Sequence, residues 1–116
     1  MPKRVLIIDD EAMVLDALTV ILEDMGYAIT PCLDSQEGVR TAVDGQFDLI
    51  LCDLRMPGKN GAQVTREIMD KSPNAKILIV TAFPSDPLAE QALSAGAIAL
   101  VKKPFEITKI LEYLKD

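Results

Sequence analysis

The chain has 116 residues, 49% hydrophobic and 26% charged, which fits one globular domain, residues 1–116, with a core of its own. A net charge of −6, with no block of Lys and Arg, argues against a surface that grips a nucleic-acid backbone. No apolar run approaches the roughly 20 residues that cross a bilayer, and there is no histidine, so any chemistry must rest on carboxylates, hydroxyls and lysines.

Arg4–Ile8 reads as a strand, and Asp9 and Asp10 interrupt its apolar run too early for a secretory signal, so a cytoplasmic location is expected. Glu11–Met25 reads as a helix, with Val14, Leu18, Ile21, Leu22 and Met25 at a period of 3.6 and Gly26 at its left-handed end. Ala28–Cys32 is a second strand, Ser35–Val43 a short helix and Leu49–Cys52 a third strand. Met56-Pro57-Gly58-Lys59 fits a type II turn, and Asn60–Asp70 a helix whose Asn60 and Gln63 resemble a capping box. The strand Ile77–Thr81, the helix Asp86–Ala95 ending at Gly96, the strand Ala97–Val101 and the helix Ile107–Leu114 complete the chain.

Five strand–helix units in alternation indicate an α/β sandwich around a parallel sheet. Val5–Ile8, Leu49–Cys52 and Ile77–Val80 are apolar throughout, as strands covered on both faces are. Right-handed crossovers leave few topologies, and the flavodoxin-like order 2-1-3-4-5 leads among them. In that order Cys32 and Cys52 lie on either side of the first strand, about 10 Å apart at ordinary strand spacing, too far for a disulfide.

Ligands of open α/β sheets bind beyond the carboxyl ends of the strands. There the first strand ends in Asp9-Asp10-Glu11, the third in Asp53, the fourth in Thr81 and the fifth in Lys103-Pro104. Each has an ordinary reading alone: Asp10 as a helix cap, Asp53 as a loop carboxylate, Thr81 as a β-branched strand end, Lys103 as a solvated side chain. Together they describe one site. Converging carboxylates call for a cation, and hard oxygen donors suit Mg²⁺, or Mn²⁺, rather than zinc. A carboxylate nucleophile at Asp53, a cation beside it, Lys103 as a positive charge and Thr81 as a hydroxyl donor make chemical sense for phosphoryl transfer. A cis Lys103–Pro104 bond would aim the lysine inward.

VLIIDDE, DLILCDLRMPGKNG, ILIVTA and ALVKKPF, the last with Lys103-Pro104-Phe105, closely resemble the response-regulator receiver family of two-component signalling, in family order and over essentially the whole chain. The resemblance implies that Asp53 accepts a phosphoryl group from a sensor histidine kinase, a phosphotransfer protein or a small phosphodonor, and that the domain catalyses nothing beyond its own phosphorylation and dephosphorylation. It implies that Asp10, Asp53 and the backbone carbonyl of Arg55 ligate Mg²⁺ directly, with Asp9 acting through water. Thr81 would swing towards the phosphoryl group and Lys103 would pair with it. The fourth helix, fifth strand and fifth helix would form the face that signals to an output domain or downstream protein.

The chain departs from the family at Leu100, where Tyr or Phe commonly stands three residues before the lysine, which puts aromatic switching in doubt. The fourth helix carries no Lys or Arg, which argues against dimers held by crossed salt bridges. With Ile98 and Leu100 it would offer an apolar docking surface for a partner or a second copy, although such residues also fit plain core. Two other readings compete with the switch. A phosphatase with an aspartate nucleophile would need an acid–base aspartate where Arg55 stands, and a receiver that only binds partners would have no use for the complete set of site residues.

Overall fold

Side chains of successive strand residues point to opposite sides of a sheet, so uninterrupted apolar strands need cover on both faces. The computed structural model, which describes residues 2–104 and 106–115, provides it. The strands are β1 (Arg4–Ile8), β2 (Ala28–Cys32), β3 (Leu49–Asp53), β4 (Ile77–Thr81) and β5 (Ala99–Lys102). They form one parallel sheet in the order β2-β1-β3-β4-β5, as expected for the flavodoxin-like arrangement. Around it lie α1 (Ala12–Asp24), α2 (Ser35–Asp44), α3 (Gly61–Lys71), α4 (Pro87–Ala95) and α5 (Ile107–Glu112).

Alternation within the strands divides the core in two. Val5, Ile7, Leu49, Leu51, Leu78 and Val80 pack against Leu15, Leu18 and Leu22 of α1 and Ile110 of α5. Leu6, Ile8, Ile50, Cys52, Ile77 and Ile79 pack on the opposite side with Val64 and Ile68 of α3 and Ala89 and Ala92 of α4. Ile8 registers with Cys32 on one side and Cys52 on the other. The two cysteines are therefore two strands apart, and both are free and buried. Burial pushes both thiols up, which fits inert core residues.

Most boundaries fall within one residue of the expected ones, and the start of β5 and the end of α5 differ by two. The N–H of Ala97 donates to the carbonyl of Ala92, so Ala97 finishes α4 rather than starting β5. Leu114 is buried as the helical pattern requires, yet α5 ends at Glu112. Lys3 Nζ and Lys76 Nζ donate to the carbonyls of Leu114 and Tyr113, serving groups that a continued helix would otherwise leave open. Asp10 does not cap α1: the N-cap is Glu11, whose own side chain makes no capping bond.

The segment from Asp53 to α3 is tightly determined. Gly58 has φ 79°, as the third residue of a type II turn requires. Asn60 Oδ1 accepts the Gln63 N–H and Gln63 Oε1 accepts the Asn60 N–H, a complete capping box. At Gly61 a Cβ would stand 2.7 Å from the Asp53 carbonyl oxygen and 2.9 Å from Leu54 Cα, both backbone atoms with no rotamer to move. We expect Gly61→Ala to lower stability by about 1–3 kcal/mol, as overpacking does. Urea denaturation with an unchanged m-value checks this.

Candidate functional site

Register brings the polar strand ends to one edge of the sheet. Ile8 lies opposite Cys52, Asp53 opposite Val80, and Thr81 opposite Lys102, so the residues that follow β1 and β5 meet the ends of β3 and β4. One carboxylate oxygen from each of Asp9, Asp10 and Asp53 falls within 4.8 Å of the others. Asp9 and Asp53 are buried, whereas Asp10 is exposed at the rim.

Each buried carboxylate is held by the backbone. Asp9 Oδ1 accepts the Glu11 N–H at 2.9 Å, and Asp53 Oδ1 accepts the Leu54 N–H at 2.9 Å. Lys103 reaches in from the end of β5, anchored by its own N–H donating to the Thr81 carbonyl at 2.8 Å, and the Lys103–Pro104 peptide is cis. Its Nζ is 3.3 Å from Asp9 Oδ2 and 3.3 Å from Asp53 Oδ1, with Glu11 further off at 3.9 Å. Lys103 is thus an internal counter-ion rather than a solvated side chain. Phe105, the last residue of that motif, lies outside the described residues.

The electrostatics are those of a crowded anionic site. Burial, followed by the charge of Asp9, raises the Asp53 carboxyl to about 6, although Lys103 and the Leu54 N–H act against it. Burial also raises Asp9, against the Glu11 N–H and Lys103. Burial pulls Lys103 down, but the charges of Asp53 and Asp9 outweigh it and hold the ammonium above its usual value. With Lys103 paired to Asp9 and Asp53 and Asp10 beside them, the cluster has more negative than positive charge. The donor set is all hard oxygen, so it fits a divalent cation such as Mg²⁺.

Thr81 is buried at the same edge, and its hydroxyl oxygen accepts the Phe83 N–H at 3.1 Å. Arg55 behaves differently from the rest. Its guanidinium pairs with Asp86 rather than with the clustered carboxylates. Two residues that sequence reasoning did not single out shape the loop after Asp53. Ser35 Oγ donates to the Pro57 carbonyl and accepts the Lys59 N–H, and Asp86 receives Arg55. Both contacts join residues more than 20 positions apart, and neither has a local sequence signature.

Comparison with known proteins agrees with this geometry. The family model for the response regulator receiver domain matches residues 5–115. The chain belongs to that family. The transcriptional regulatory protein PdtaR of Mycobacterium tuberculosis is 39% identical over 111 residues, which cover 95% of this chain and 54% of PdtaR. This receiver therefore spans about half the length of that relative. The chemotaxis protein CheY of Thermotoga maritima is 34% identical over 115 residues, covering 98% of this receiver and 96% of CheY. Among solved structures, the receiver domain of the sensor histidine kinase PA1611 from Pseudomonas aeruginosa superposes with a TM-score of 0.89 at 28% identity, covering 98% of this chain and 95% of that one; it carries a magnesium ion in its active-site cleft. Our chain is a receiver domain of two-component signalling, with the CheY-like fold and the acidic cluster of that family.

The expected output face is only partly apolar surface. Leu100 is partly buried and packs against the core, so it offers neither a ring to rotate nor a free docking side chain. Leu93 and Ile98 remain exposed beside it, and α4 has no basic residue. No described helix is long and apolar enough to cross a membrane.

Proposed function

We propose that this receiver, a single domain over residues 1–116, accepts a phosphoryl group on Asp53 and thereby switches a partner or an attached output domain. The observation that carries this reading is the position of Asp53. It is a buried carboxylate at a strand end, with Asp9 and Asp10 beside it and Lys103 Nζ 3.3 Å away. A carboxylate oxygen of Asp53 attacks the phosphorus of a kinase or phosphotransfer-protein phosphohistidine. The new O–P bond forms as the P–N bond breaks, and the histidine leaves with the bonding electron pair.

Asp10, Asp53 and the Arg55 carbonyl would hold Mg²⁺, or Mn²⁺, with Asp9 acting through water. The cation supplies charge neutralisation and orientation for the phosphoryl oxygens. Lys103 passes from pairing two carboxylates to pairing the phosphoryl group. The Thr81 hydroxyl, which accepts a backbone N–H at rest, donates to a phosphoryl oxygen. The readout is a change of the α4-β5-α5 face, where exposed Leu93 and Ile98 favour an apolar partner or a second copy. The net charge of −6 weighs against nucleic acid as a partner, and the proposed setting is cytoplasmic.

The test is intact mass after incubation with acetyl phosphate. With Mg²⁺ the protein gains one phosphoryl mass, about 80 Da, and with EDTA it gains none. No gain with Mg²⁺ under a short quench, with either acetyl phosphate or phosphoramidate, would leave a receiver that only binds partners.

A further inference from the structure

Arg55 lies two residues beyond Asp53, yet its side chain serves a different element. Its Nε is 2.7 Å from Asp86 Oδ2 and its second guanidinium nitrogen 2.8 Å from Oδ1, a parallel two-bond fork across 31 residues. Asp86 is no spare surface carboxylate. Only 9% of its side chain is exposed, and Oδ1 also accepts the Leu88 N–H at 3.0 Å, which makes it the N-cap of α4. The guanidinium therefore holds the group that begins α4.

The loop that carries Arg55 is fixed on its other flank. Ser35 of α2 holds Pro57 and Lys59, and the Gly61 N–H donates to the Leu54 carbonyl at 2.8 Å. A loop anchored on both sides cannot shift at Arg55 without pulling on α4. Leu100, packed into the core, offers no aromatic ring to carry the signal instead.

We propose that the Arg55–Asp86 fork is the switch element of this receiver, tethering the first turn of α4 to the acceptor loop at rest and releasing it on phosphorylation. The inference rests on the phosphoryl-acceptor reading of Asp53. A phosphoryl group there carries about −1.5 to −2 charge in place of the single carboxylate charge, two residues from Arg55, and offers the guanidinium a rival set of oxygens. The Arg55 side chain is 66% exposed, so it has room to turn. Asp86 keeps its bond to the Leu88 N–H when Arg55 leaves, so α4 is freed without losing its cap. A ligand shifts such an equilibrium only through differential affinity, and the competition for one guanidinium supplies it.

Two conservative variants separate tether from cap. Asp86→Asn keeps a good capping side chain and loses the charge, while Arg55→Lys keeps the charge and loses the fork. Amide exchange over residues 84–92 is measured with and without acetyl phosphate and Mg²⁺, beside intact mass and melting of the same samples. At rest, exchange in the first turn of α4 should be roughly two- to fivefold faster in either variant than in the parent, as for loss of an exposed ion pair. The double variant should be no faster than the singles, since all break one interaction. Phosphorylation should speed this turn in the parent and add little in the variants.

An unchanged first turn in the resting variants overturns the tether. So does an equal response to phosphorylation in parent and variants. Lack of a phosphoryl mass in the parent counts against the acceptor reading alone, because exchange in the resting proteins still decides whether the fork holds α4.

Discussion

At pH 7 and without divalent metal, Asp53→Asn should melt several degrees above the parent. The parent must keep Asp53 ionised in a buried site beside Asp9, which raises its carboxyl from 3.8 to about 6. Each unit of such a shift corresponds to about 1.4 kcal/mol, so the amide should gain about 1–3 kcal/mol, or roughly 4–15 °C in a domain of this size. The sign follows from proton binding. Between 3.8 and about 6 the folded parent holds a proton that the unfolded chain has lost, so its stability falls as pH rises through that window. Asp9, raised in the same direction, adds to the slope, which in Asp53→Asn should be shallower. Mg²⁺ should reverse the ranking, since it stabilises the parent by mass action and finds a poorer site in the variant. Calorimetric melting at pH 4.5, 6 and 7.5, with EDTA and with Mg²⁺, checks all of these points. An Asn variant less stable than the metal-free parent at pH 7.5 would show that Lys103 already compensates the site.

Lys103→Met should act in the opposite direction. The ammonium is the counter-ion of two buried carboxylates, at 3.3 Å from each, and methionine keeps a similar stem without the charge. Removing one partner from a buried pair leaves uncompensated charge, so the metal-free variant should lose on the order of 3 kcal/mol at pH 7. The loss should shrink at pH 5, where Asp9 and Asp53 take up protons more readily without the lysine. The variant should also bind Mn²⁺ more tightly than the parent, because the lysine competes with any cation for the same oxygens. Calorimetric titration measures that affinity, and weaker binding than in the parent would contradict the arrangement. Opposite signs from two neighbours in one site are the signature of an excess of negative charge.

These effects trace back to features visible in the sequence to different degrees. Alternating apolar runs and helical periods placed all ten elements, because each depends on burial along a short stretch of chain. The register that brings Asp9, Asp53, Thr81 and Lys103 to one edge followed from strand order, itself limited by the handedness of crossovers. Two boundaries failed, one beside contacts from distant residues and one at a local bond that apolar periodicity does not announce. Lys3 and Lys76 serve the carbonyls after α5, and the bond from Ala97 to Ala92 delays β5. The resting partners of Lys103 were less legible than its expected role towards a phosphoryl group. Sequence motifs describe the loaded site, whereas an ammonium among carboxylates settles on the nearest anions. Arg55 and Asp86 were least legible, since their pairing depends on two loops that follow different strands.

The central claim is that Asp53, rather than either neighbouring carboxylate, forms the acyl phosphate. The most direct measurement is borohydride reduction of the protein after acetyl phosphate and Mg²⁺, followed by tandem mass spectrometry of the peptides holding residues 9, 10 and 53. Hydride cleaves an acyl phosphate and leaves homoserine where the phosphoaspartate stood. Homoserine is expected at position 53, with Asp9 and Asp10 unchanged. Homoserine at position 9 or 10, or at none of the three in protein that has gained the phosphoryl mass, would contradict it.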